Sequence, residues 1–93
     1  KINFLFELSK DTQSPITVYQ LLDLILSRIS QETKISRISN GDVIQALSMA
    51  LAVRMKMVSA DNKIVEEIVI DTLSKAINAA NSAYVDSKTS GNA

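Results

Sequence analysis

Ser39-Asn40-Gly41-Asp42-Val43-Ile44-Gln45-Ala46-Leu47-Ser48-Met49-Ala50-Leu51-Ala52-Val53-Arg54-Met55-Lys56-Met57-Val58 is the stretch that decides the fold. Ser39 and Asp42 stand three residues apart just ahead of an apolar run, the spacing of a capping box at a helix start. Beyond it Ile44, Leu47, Leu51, Met55 and Val58 recur at intervals of three and four. At about 100° per residue these positions form one ridge of an α-helix. Val43, Ala46, Ala50, Val53 and Met57 broaden the ridge. Gln45, Ser48, Arg54 and Lys56 interrupt the run, so it reads as a buried helix and not as the 18 or so apolar residues of a membrane span.

Two further segments carry the same period. On the N-terminal side, Ser14 is a good N-cap and Pro15 suits the first helical position, where its missing N–H costs nothing. Val18, Leu22, Ile25 and Ile29 then form a stripe widened by Tyr19, Leu21 and Leu26, opposite a narrow wet stripe of Gln20, Asp23, Ser27 and Gln31. The spacing predicts a helix over Pro15–Gln31. On the C-terminal side, Asp61 or Asn62 can cap a helix predicted to run to Val85, with Glu66 and Glu67 near its positive end. Its apolar face collects Val65, Ile68, Val69, Leu73, Ala76, Ile77, Ala80, Ala83 and Tyr84. The predicted connections, roughly Glu32–Ser39 and Ser59–Asp61, are short, which favours antiparallel neighbours.

The flanks are less regular. Ile2, Phe4, Phe6 and Leu8 alternate as in a half-buried strand, while Ile2, Leu5 and Phe6 would share one side of a short helix. A lone strand needs a partner, so the short helix is the preferred reading. Residues 86–93 are small and polar and read as a tail, leaving 1–85 as a single helical domain. The expected fold is therefore all-α: an antiparallel bundle of three long helices with a short N-terminal element.

Composition agrees with one small domain. The chain has 93 residues, 46% of them hydrophobic, with only one proline and two glycines. A chain this short hides only about 60–65% of its unfolded surface, so its core is thin. Ten basic residues balance ten acidic ones, and the sequence contains no histidine and no cysteine. Those absences leave no thiol nucleophile, imidazole base, Ser-His-Asp triad, disulfide or cysteine–histidine zinc cluster within this sequence. Two glycines are too few for a phosphate-cradling loop or a dinucleotide fingerprint. No catalytic, cofactor-binding or metal-binding set is expected. The lack of cysteine fits a reducing compartment, and cytoplasmic is the default expectation.

Four features are candidates for function. Arg54 falls in the middle of its helix's apolar ridge; it either runs out to water along its stem or meets an acid across an interface. Met49, Met55 and Met57 are close on the same helix, as gap-filling core or as an adaptable docking surface. Ala76, Ala79, Ala80 and Ala83 give the last helix a small-residue face that lets another helix approach closely. Arg28, Lys34 and Arg37 surround the turn after the first helix and could meet nucleic acid. However, a dense basic stripe and an aromatic stacking platform are missing there. Asp61-Asn62-Lys63 opens like an EF-hand loop, but no glycine or bidentate glutamate follows at the required spacing.

The apolar arcs of the first two helices are broader than a two-position coiled-coil seam, more than three helices can cover alone. A non-enzymatic interaction module is the expected function, docking a protein partner or a second copy through Arg54, Met49, Met55, Met57, Ala76, Ala80 and Ala83. The alternative is a small nucleic-acid regulator using Arg28, Lys34 and Arg37.

Overall fold

A computed structural model of the chain describes residues 6–89, with side chains described as far as residue 82. The chain is all-α: α1 spans Pro15–Ser36, α2 Asn40–Lys56 and α3 Asn62–Thr89. No strand occurs among the described residues.

Each helix begins where the sequence signals it. The Ser14 hydroxyl accepts a hydrogen bond from the Thr17 amide, and Pro15 occupies the first turn of α1. The Ser39 hydroxyl accepts from the Asp42 amide at 3.1 Å, giving the first half of the capping box. Asp61 caps α3: its carboxylate accepts from the Lys63 amide at 2.8 Å and its carbonyl from the Val65 amide. Satisfying these otherwise orphaned donors is what fixes the starts.

The ends differ from expectation. α1 runs five residues past Gln31, so the link to α2 is only Arg37-Ile38-Ser39. Arg37 stops it by turning left-handed, at φ 54°, which lets its amide reach the Thr33 carbonyl. Glycine is the usual residue for that conformation, so the stop carries no sequence signal here. α2 closes at Lys56, its last turn tightened by the Met57 amide on the Arg54 carbonyl and the Val58 amide on the Met55 carbonyl. α3 continues through Val85 to Thr89.

The N-terminal element is corrected in its described part. Residues 6–9 form neither helix nor strand, and Ile2, Phe4 and Leu5 lie outside the described residues. The Tyr19 hydroxyl provides the physical reason. It accepts from the Phe6 amide and donates to the Phe6 carbonyl, both at 2.8 Å. One phenol thus takes both main-chain groups that a helix or a strand ladder would otherwise use.

Packing is sparse. α2 and α3 touch around their short link, where Ala52, Met55 and Lys56 of α2 and Asn62, Val65 and Glu66 of α3 line a groove. Val65 is the buried hydrophobic residue of the described chain. A half-buried stripe of Val69, Ala76, Ala79 and Ala80 continues from it along α3. On α1 the half-buried positions are Tyr19, Leu22 and Ile29, on the stripe its periodicity marks. The radius of gyration is 14.9 Å. A compact chain of this length would be near 12 Å, so the bundle is open.

Candidate interaction surface

The surface that stands out is the ridge of α2. Helical spacing sets Ile44, Leu47, Leu51 and Val58 on a different side from Ala52 and Lys56, which line the groove against α3. All four ridge residues are exposed; Leu47 and Leu51 each retain 41% of their accessible surface. Val43 at the ridge edge is half-buried. The ridge is thus apolar, continuous over the length of α2 and largely uncovered.

Arg54 sits on this ridge and is exposed, so it reaches water as a stem running out of the apolar stripe would. Its guanidinium Nη1 donates to the Met57 sulfur at 3.1 Å, a weak acceptor. The ion pairs among the described residues, Arg28–Glu32 and Lys75–Asp71, do not involve it. A cation held beside a thioether, in the middle of an apolar stripe, has no acid to neutralise it.

The methionines do not form one patch. Met55 lines the α2–α3 groove, whereas Met49 and Met57 are exposed on other sides of the helix, at 61% and 64%. The alanine face turns out to be mostly inward: Ala76, Ala79 and Ala80 share the half-buried stripe with Val65 and Val69. Ala83 lies within α3 but outside the residues whose side chains are described, as does Tyr84.

The basic turn is partly spent on local structure. Arg28 bonds Glu32 at 3.1 Å across one exposed turn of α1. Lys34 lies in the last turn of α1, near its negative dipole end, and Arg37 supplies the left-handed cap. The acidic residues of α3 also divide. Asp61 caps the helix, Asp71 holds Lys75 at 3.4 Å, and Glu66 and Glu67 are neighbours that diverge by about 100°. Among the described residues no three acidic side chains converge on a point that could hold a metal ion.

A second concavity lies where residues 7–12 and Val18 face Ile64, Ile68, Asp71 and Lys75 of α3; it is wide and open to solvent. The Tyr19 latch on Phe6 holds one end of this arm on α1, a role that sequence reading assigned only to core packing. No helix among the described residues is long and apolar enough to cross a membrane. No protein-family model matches the chain, and no curated protein or solved structure resembles it significantly.

Proposed function

We propose that this chain is a helical protein–protein interaction module, an adaptor or accessory subunit whose core is completed by a helix from another chain. One observation carries the reading. Val65 is the buried core residue of the described chain, while Leu21 and Leu24 of α1, Ile44 and Leu51 of α2 and Ile70 and Leu73 of α3 are all exposed. Burying one valine stabilises a fold by about 1.5–3 kcal/mol, far less than ordering three helices costs at about 1–2 kcal/mol per residue. Covering the outer faces supplies the missing burial, and docked helices are the geometry these ridges fit.

The test is sedimentation velocity of the wild-type chain from low to high micromolar concentration, with binding of an apolar-surface dye measured alongside. The expected results are a mass above the 10.2 kDa of one chain, or a monomer that binds dye strongly and loses it when a partner docks. A monomer that binds no dye at any concentration contradicts the reading, because its helices would already be covered.

A further inference from the structure

We infer that the ridge of α2 docks antiparallel against the same ridge of a second copy, with Arg54 of each chain beside Asp42 of the other. The inference rests on the interaction-module reading and names its occupant.

Area gives the first argument. The chain exposes 8172 Å². A compact monomer of this mass exposes about 5,300 Å² by the usual scaling. The excess, roughly 2,900 Å², exceeds the 1,000–2,500 Å² or so that each subunit of an obligate dimer buries.

Charge gives the second, and it selects a second copy over a different protein. A two-fold interface is self-complementary: if residue i meets residue j, then j meets i. Asp42 and Arg54 stand near opposite ends of α2, about 18 Å apart along the axis at ~1.5 Å per residue. Antiparallel apposition about their midpoint, Ser48, therefore brings each basic end next to the other chain's acidic end. Neither residue has an ion-pair partner among the described residues. The balance of ten basic and ten acidic residues leaves no net repulsion between copies. The centre of such an interface would be Leu47 and Leu51, which flank Ser48 on the apolar side. Ser48 itself strands no donor there, because its hydroxyl already bonds the Ile44 carbonyl at 2.9 Å.

The experiment is a charge swap read by analytical ultracentrifugation, with circular dichroism confirming that each variant is folded. Arg54→Glu and Asp42→Lys alone should each weaken dimerisation at least tenfold, because each places like charges together. The double variant should return to within about threefold of wild type. Single reversals without effect, or a double variant weaker than either, overturn this pairing and leave the interaction-module reading standing. A wild-type chain that is monomeric throughout but binds dye also overturns it; monomeric without dye, it overturns the module reading as well.

Discussion

The inward stripe of α3 and the ridge of α2 are alike as sequence and unlike as structure. Both are aliphatic, both recur at intervals of three and four, and both follow a well-formed cap. Yet Val65, Val69, Ala76 and Ala80 are buried or half-buried, while Ile44, Leu47, Leu51 and Val58 are exposed. Periodicity states that a face needs cover. It does not state which chain supplies the cover, because that depends on the path of the links and on side-chain size. Alanine and valine let α3 sit close to its own chain, whereas the leucines and isoleucine of α2 project into solvent.

Substitutions can break this contrast, and the largest effect belongs to α3. Val65→Asp should abolish cooperative unfolding, since an unpaired carboxylate at the buried position costs several kcal/mol, at least ~3. Thermal melting by circular dichroism checks it; a variant melting like wild type would show that Val65 is not the centre of the fold. Ala80→Glu, further along the same stripe, should also destabilise the single chain, by about 1–3 kcal/mol from overpacking and burial of charge. On α2 the opposite pattern is expected. Leu47→Glu should leave the helical spectrum intact, change monomer stability by no more than ~0.5 kcal/mol, and weaken association at least tenfold.

Smaller effects sharpen the picture of the ends. Tyr19→Phe removes the hydroxyl that holds both main-chain groups of Phe6. It should cost about 1–2 kcal/mol and speed exchange of the Phe6 amide, while leaving the α2 amides unchanged. Arg37→Gly should stabilise the chain slightly, by about 0.5–1 kcal/mol, because glycine adopts φ 54° without a Cβ clash. A loss of stability there would mean that the Arg37 side chain contributes more than its backbone costs.

These sites also show what was legible in the sequence. The three helix starts were, because Ser14-Pro15, Ser39 with Asp42, and Asp61 are local chemistry between neighbours. The end of α1 was not, since an arginine in a left-handed cap looks like any other arginine. The described part of the N-terminal element was misjudged for a related reason: what decides the conformation of Phe6 is a phenol thirteen residues away. Arg54 was legible as an anomaly on an apolar ridge. The inward turn of the alanine face and the separation of Met55 from Met49 and Met57 are tertiary facts that spacing alone leaves open.

Hydrogen exchange measured residue by residue at two protein concentrations tests most directly whether the ridge of α2 is left for another chain to cover. At low micromolar concentration the amides of Ile44 to Leu51 should exchange faster than those flanking Val65, and their protection should rise at least tenfold as concentration increases. Amides of α2 as protected as those of α3 at the lowest concentration, with no dependence on concentration, would show that a single chain already covers its own ridge.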